Sequence, residues 1–207
     1  MSPPVGPEEF GVPLLGGDTT SSQDRIAINV TAIGRIARAK VKYRSGAREN
    51  DIVYVTGYLG DSAQGLLDIR SGVYDSPFIA VHHDPHPCVN EGIWLGNQPE
   101  VHAMMDISDG LASDLSHILE ESETGAEISI ERIPTRTTVE LAVTGGEDYQ
   151  LLLTVGAEAA DRIAAEYVRH FGKPLYGIGR IRSGAPDIIW SDNGEVVRPQ
   201  WKGFRHF

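Results

Sequence analysis

The sequence has a single cysteine, few basic residues for its acidic content, and no long apolar run. Cys88 alone cannot form an internal disulfide, so a disulfide-stapled fold is excluded. The 18 Lys and Arg residues stand against 29 Asp and Glu, and the net charge of −11 argues against a nucleic-acid or anionic-membrane surface. No run of apolar residues could span a bilayer and the N-terminus lacks a basic, apolar signal pattern, so we expect a cytoplasmic protein.

What is present is a globular composition. The chain has 207 residues, of which 41% are hydrophobic, and this length suits one large domain or two small ones. A Gly-rich break at residues 57–60 is the best candidate for a domain boundary. We therefore predict two parts, residues 1–58 and residues 59–207.

The segment MMDISDGLASDL, residues 104–115, organises the chain. Apolar residues from Val101 to Ile107 predict a strand. After it, apolar residues recur at helical spacing and predict a helix; they are Leu111, Leu115, Ile118 and Leu119. Asp106, Ser108 and Asp109 then share the turn at the helix N-terminus. Two interpretations stay open: Asp109 is an N-cap that suits the helix dipole, or the carboxylates bind Mg²⁺ while Ser108 and free N–H groups meet a phosphate.

The residues before this segment predict two N-terminal strands. Val12 to Leu15 predicts a buried strand that enters GGDTT, and the alternating apolar residues of Arg25 to Ile33 predict a second strand. GGDTT is either a simple turn or a backbone that approaches a ligand closely. Arg44 is either an exposed charge or a phosphate contact beside that turn.

The middle of the chain predicts a strand at Asp51 to Thr56 and a helix capped by Asp61 that runs to about Ile69. Residues 81–92 contain His82, His83, His86 and Cys88, which are metal-ligating types. Their spacing fits no tetrahedral motif and prolines should keep the segment extended, so a zinc site is disfavoured. Asn90 to Leu95 could form a short helix.

The C-terminal half alternates strands and helices. The predicted strands are Ala126 to Ile130, a buried strand at Gln150 to Val155, Tyr176 to Ile181 and Asp187 to Trp190, with a hairpin turn at Ser191 to Gly194. A short helix is predicted within Pro134 to Val143. A longer helix is predicted at Ala157 to Phe171, with Ile163, Tyr167 and Val168 facing inward. TGGEDY, residues 144–149, is a third acidic turn beside a strand. Three such turns suggest one shared polar site.

These motifs, in this order, resemble the thiamine-monophosphate kinase family: GGDTT, RSGA, LGDSAQGL, MMDISDGLASDL, TGGEDYQLLLTV and the final GFRHF. The family belongs to a superfamily with aminoimidazole ribonucleotide synthetase, selenophosphate synthetase and the hydrogenase-maturation carbamoyl dehydratase. The resemblance implies transfer of the ATP γ-phosphoryl group to thiamine phosphate. It needs no general base, because the acceptor is already a phosphate oxyanion.

Matched position by position, the resemblance implies site residues. Asp18, Asp106 and Asp109 match metal ligands for Mg²⁺, and Gly17, Asp18, Arg44 and Ser108 match nucleotide contacts. Glu147 and Phe204 match contacts to the thiamine phosphate. The implied fold is α/β in two parts, a remnant of an N-terminal ATP-binding sheet domain and a C-terminal mixed sheet with helices on one face, and a homodimer is expected.

The sequence departs from the family in two places. It starts after a segment that normally carries a Gly-Asp-Asp turn with further metal ligands, and the link from Pro134 to Leu141 is short. We therefore expect residues 1–207 to fold at least in their C-terminal part and to show little kinase activity alone. Two alternatives stay open: another ATP-using superfamily member, such as an aminoimidazole or formylglycinamidine ribonucleotide synthetase, or a non-catalytic nucleotide-binding or dimerisation module.

Overall fold

A computed structural model describes residues 10–199 and residue 201. Seven strands and six α-helices are present in this part of the chain. The strands are β1 (Ile52–Val55), β2 (Val101–Asp106), β3 (Gly125–Ser129), β4 (Leu151–Val155), β5 (Tyr176–Arg182), β6 (Ile188–Asp192) and β7 (Glu195–Val197). The helices are α1 (Asp61–Arg70), α2 (Pro77–His83), α3 (Val89–Gly96), α4 (Leu111–Ser122), α5 (Val139–Thr144) and α6 (Ala157–Phe171). Short 3-10 helices lie at Arg38–Lys40, Arg44–Gly46 and Ile130–Arg132.

The strands form one mixed sheet in the order β2-β4-β1-β5-β3-β6-β7. Every neighbouring pair is antiparallel except β3 and β6, which run parallel. At the centre Val53 of β1 lies opposite Thr154 of β4 and Gly179 of β5. The predicted α/β class with a mixed sheet is confirmed.

Helices pack on both faces of the sheet, rather than on the single face that we predicted. Along β1, Val53 and Val55 join one apolar cluster, while the alternate residues Ile52 and Tyr54 join another. The first cluster takes side chains of α4 and α5, and the second takes side chains of α3 and α6. Since successive strand residues point to opposite faces, the central strands are buried on both sides.

Helices α1 and α2 cross at close range. A Cβ atom at Gly65 of α1 would lie 2.3 Å from the carbonyl oxygen of Phe78 in α2. Only glycine permits this approach of the two backbones. The crossing places the end of α2 beside the beginning of α1, where polar side chains collect.

The two predicted N-terminal strands are wrong. Residues 12–37 contain no strand, and the side chains of Leu14, Ile26, Ile28 and Val30 are 85–93% exposed. The alternating pattern is present, but no strand of the described sheet pairs with this segment. An isolated strand leaves its backbone groups without ladder partners, so the pattern alone does not produce one.

The predicted boundary at residue 58 would separate β1 from the other strands of its own sheet. Strand β1 precedes that boundary, yet it lies between β4 and β5. We therefore propose that the C-terminal domain begins before β1. The derivation of the residues before β1 from an N-terminal sheet domain stays a prediction.

Several smaller predictions need correction. Residues 81–83 belong to α2 rather than to an extended segment. Val168 of α6 is 46% exposed, whereas Ile163 and Tyr167 are buried as predicted. Asp61 is the first residue of α1 and makes no capping bond. The turn between β6 and β7 consists of Asn193 and Gly194, both with positive φ. Ser191 and Asp192, which were predicted to belong to the turn, are the last residues of β6.

The C-terminal tail is described only at Trp201, whose ring packs edge-on against Trp190 with centroids 5.2 Å apart. Phe204 lies outside the described residues. Within the described part of the chain, none of the helices has both the length and the apolar character needed to cross a membrane.

Candidate active site

Two of the three acidic turns lie side by side. The N–H of Glu147 donates to the carbonyl oxygen of Ser108 at 2.9 Å, and the N–H of Tyr149 donates to that of Ile107 at 2.9 Å. The N–H of Ile107 in turn donates to the carbonyl oxygen of Gln150 at 2.7 Å. These three bonds join residues 106–110 and 145–150 into a single paired turn.

The paired turn is tightly packed and strained. A Cβ atom at Gly146 would lie 2.2 Å from the carbonyl oxygen of Ser108, and Gly110 has a φ of +105°. Glu147 and Tyr149 are not glycines but have φ values of +65° and +50°. Non-glycine residues held in this region cost of order 1–3 kcal/mol each and occur often at functional sites. The strain therefore supports a functional role for the turn.

Asp114 of α4, rather than Asp109, satisfies the backbone of this turn. Its carboxylate is 1% exposed and accepts the N–H groups of Ser108 and Asp109, each at 3.0 Å. The N-cap of α4 is Gly110, and it makes no side-chain capping bond. Burial raises the pKa of Asp114, and the negative charges of Asp109 and Asp106 raise it further. The capping interpretation of Asp109 is therefore wrong.

Carboxylate and imidazole groups gather at the start of α4. Ligand atoms of Asp109, Asp114 and His117 lie within 4.8 Å of one another. Asp106, at the end of β2, is exposed. Burial raises the pKa of Tyr149, and the negative charges of Glu147, Asp106 and Asp109 raise it further.

A second polar cluster surrounds the beginning of α1, and Asp148 ties it to the paired turn. The Asp148 carboxylate accepts the N–H of Gly60 at 2.7 Å and the N–H of Ser62 at 3.1 Å. Burial raises the pKa of Asp148 to about 6. Because Asp148 follows Glu147 directly, this anchor fixes the paired turn against α1.

The remaining groups of this cluster come from α1, α2 and the loop before α5. Asp61 forms an ion pair with Arg136, whose guanidinium also lies 5.0 Å from the centre of the Tyr58 ring. The Nδ1 atom of His82 lies 2.9 Å from the Ser62 hydroxyl and 3.6 Å from a carboxylate oxygen of Glu147. The Glu147 side chain is 59% exposed, so a ligand can reach it from solvent.

The structure does not bring the other predicted site residues to this place. Gly17 and Asp18 are exposed, and the Asp18 carboxylate accepts only the neighbouring N–H of Thr19 among the bonds found in the described residues. Arg44 lies near the opposite end of α4, where the Ser122 hydroxyl donates to its carbonyl oxygen at 2.7 Å. The helix separates Leu111 from Ser122 by about 16 Å. The three predicted metal ligands are thus not gathered into one group of described residues.

Arg44 instead lines a cavity of about 380 Å³ with Lys42, Met104 and Glu121.

Sequence reasoning missed four residues of the site: Asp114, His117, Asp148 and His82 in its contact to Glu147. Asp114 carried a signal, since an acid in the first turn of a helix commonly accepts orphan N–H groups. Asp148 stands in the acidic turn TGGEDY and His82 in the histidine-rich segment, but their contacts carried no signal, because their partners are distant in sequence.

Comparison with known proteins gives both a family and close relatives. The family model for AIR synthase related protein, C-terminal domain, matches residues 48–190. Thiamine-monophosphate kinase of Escherichia coli K12 is 34% identical over 215 residues, covering 96% of this chain and 64% of the relative. The Bacillus subtilis 168 enzyme of the same name is 34% identical over 215 residues, covering 96% of this chain and 65% of the relative. The chain thus spans less than two thirds of the length of these curated relatives.

Solved structures agree on the fold. The thiamine-monophosphate kinase structure from Stenotrophomonas maltophilia K279a has a TM-score of 0.68 and 27% identity, over 78% of this chain and 56% of that one. The structure of AaThiL complexed with AMPPCP and TMP has a TM-score of 0.60 and 31% identity, over 78% of this chain and 53% of that one. Hydrogenase maturation protein HypE of E. coli, at 18% identity and a TM-score of 0.64, shares the fold.

Proposed function

We propose that this chain, which belongs to the family AIR synthase related protein, C-terminal domain, acts in the ATP-dependent phosphorylation of thiamine phosphate to thiamine diphosphate. One observation carries the proposal: the hydrogen-bonded pairing of residues 106–110 with residues 145–150. It places Asp106, Ser108 and Asp109, which suit a nucleotide and a cation, beside Glu147, which suits a cationic acceptor. The names of the relatives and the AMPPCP and TMP complex support the same reaction.

The proposed reaction requires little covalent chemistry from the protein. Phosphoryl transfer depends on in-line positioning and on neutralising the charge of the transferred group. We assign Ser108 to the nucleotide, since the start of α4 offers the positive end of a helix dipole to phosphate. Glu147 binds the positively charged thiazolium part of the acceptor. No residue is assigned as a general base.

The residues of the paired turn fit Mg²⁺. Mg²⁺ prefers carboxylate oxygens and usually takes one or two of them together with substrate phosphates. Asp106 and Asp109 supply such oxygens, and ligand atoms of Asp109, Asp114 and His117 lie within 4.8 Å of one another. When bound, Mg²⁺ neutralises charge on the phosphates. Asp114 holds the turn that carries these ligands.

The N-terminal predictions remain proposals. Gly17, Asp18 and Arg44 are proposed to meet the nucleotide only when segment 11–37 has a partner to pack against. The exposed apolar side chains of this segment support association with a second copy of the chain as a homodimer. We propose a cytoplasmic location from the single buried cysteine, which has no disulfide partner. Phe204 is proposed to lie near the thiamine.

The test follows thiamine diphosphate formation from ATP, Mg²⁺ and thiamine phosphate. Two proteins are compared: this chain, and the same chain extended upstream with the N-terminal segment of the E. coli relative. We expect the extended protein to form thiamine diphosphate and this chain alone to form little. Absence of product from both proteins would contradict the proposed reaction. Equal rates would contradict the need for an upstream segment.

A further inference from the structure

No function has yet been assigned to the histidine-rich segment of residues 82–88, and the structure separates its members. The His83 ring is exposed, with its centroid 5.9 Å from that of His82. His86 faces the ring of Phe10, and Cys88 lies beside Thr56 and Gln150. Of the four, Cys88 contacts Gln150 at the edge of the paired turn, and His82 contacts Glu147 within it.

The contacts of His82 involve one ring nitrogen. Its Nδ1 atom is 2.9 Å from the Ser62 hydroxyl and 3.6 Å from the Glu147 carboxylate. A Ser-His-acid relay needs both ring nitrogens, one for the hydroxyl and the other for the carboxylate. This geometry therefore excludes a relay that would activate Ser62 as a nucleophile. It leaves His82 as a fixed polar neighbour of Glu147.

The position of His82 is fixed from two sides. Ser62 is the second residue of α1 and is fully buried. Its N–H donates to the Asp148 carboxylate, and its hydroxyl is hydrogen-bonded to Nδ1 of His82. The backbones of α1 and α2 meet at Gly65 and Phe78, four residues before His82. His82 is consequently held on the same framework that anchors the paired turn. Its side chain is 17% exposed, against 59% for Glu147, so the imidazole lies behind the carboxylate.

We propose that His82 is a positioning residue for the acceptor substrate. It holds the Glu147 carboxylate with its open side toward solvent, where the cationic part of thiamine phosphate binds. Among the described residues, the His82 imidazole lies 3.6 Å from a Glu147 carboxylate oxygen. The positive φ of Glu147 sets the direction in which its side chain leaves the backbone, and His82 positions its carboxylate group. This inference rests on the proposed function.

The experiment measures dissociation constants of thiamine phosphate and of AMPPCP, each with Mg²⁺, by calorimetry on the 207-residue chain. His82→Ala should weaken thiamine phosphate binding about tenfold, because a misplaced charged group loses much of its interaction. AMPPCP binding should change less than about twofold. His82→Asn should restore thiamine phosphate binding to within about threefold, since its amide can occupy the place of Nδ1.

His83→Ala is the matched control, because His83 is the adjacent, exposed histidine of the same helix. It should leave both constants within about twofold. Equal weakening of both ligands by His82→Ala, without rescue by His82→Asn, would indicate a merely structural histidine and overturn the inference. Unchanged thiamine phosphate binding in His82→Ala would overturn it as well. Failure of the unaltered chain to bind thiamine phosphate while it binds AMPPCP would instead overturn the proposed substrate, and the inference with it.

Discussion

Replacing Asp148 with Asn should remove a pH dependence of stability that this buried carboxyl group creates. Burial raises the pKa of Asp148 from 3.8 to about 6, although the N–H groups of Gly60 and Ser62 favour its charged form. The folded chain therefore binds this proton more tightly than the unfolded chain does. The group contributes fully to stability below about pH 4, and this contribution is lost as the pH rises through about 6.

The size of the effect follows from the shift. A change from 3.8 to about 6 corresponds to about 3 kcal/mol of unfolding free energy, at about 1.36 kcal/mol for each pKa unit. According to the linkage relation, the contribution of Asp148 to the unfolding free energy changes by about 2 kcal/mol between pH 7.5 and pH 4.5. Asp148→Asn cannot take up the proton. The stability advantage of the unaltered chain over this variant should therefore grow by about 2 kcal/mol as the pH falls across that range.

Urea denaturation at a series of pH values measures this difference. Other groups titrate alike in both proteins, so subtracting the two free energies isolates Asp148. Asp84→Asn, which changes an exposed carboxylate next to α2, is the matched control. A difference for Asp148→Asn that stays within about 0.5 kcal/mol from pH 7.5 to 4.5 would refute the reasoning.

Three further predictions concern the paired turn. Asp106→Asn, in the upstream-extended protein, should lower turnover at least about 100-fold with little change in melting temperature, because the side chain is exposed and acts on transition-state charge; a large loss of melting temperature with preserved turnover would contradict it. Glu147→Gln should raise the Michaelis constant for thiamine phosphate about tenfold, and a change in the ATP constant alone would show that Glu147 is misassigned. Gly146→Ala should destabilise the chain by about 1–3 kcal/mol in urea denaturation, because its Cβ would meet the Ser108 carbonyl oxygen at 2.2 Å. Gly34→Ala, with open space around it, is the control, and equal stability of both variants would contradict the packing argument.

Local apolar patterns predicted the elements that have an apolar face to bury. Helix α6 runs from Ala157 to Phe171, as predicted, and the four apolar residues predicted to be the inner face of α4 are fully buried. The sequence also predicted that three acidic turns share one site, and two of them, at residues 106–109 and 144–149, lie side by side, whereas GGDTT does not join them. These features depend on residues close together along the chain, where spacing carries the information.

The features that sequence reasoning missed depend on distant residues. Asp148 meets Gly60 and Ser62 across more than 80 residues, and no local spacing reports such a contact. The same limit explains Arg44, which was assigned beside the nucleotide with Ser108 but lies at the far end of α4. Motif order along the chain says nothing about which end of a helix a motif reaches.

The N-terminal segment shows why a correct pattern can still predict the wrong structure. Alternation in Ile26, Ile28 and Val30 reports an apolar strand face, but not whether this chain supplies a strand to pair with it. Burying one such side chain stabilises a fold by about 1.5–3 kcal/mol, so burying three provides about 4–9 kcal/mol. That gain is comparable with the whole stability of a domain, about 5–15 kcal/mol. Within the described chain these side chains are exposed, so the gain is available only through pairing with a strand from outside residues 10–199.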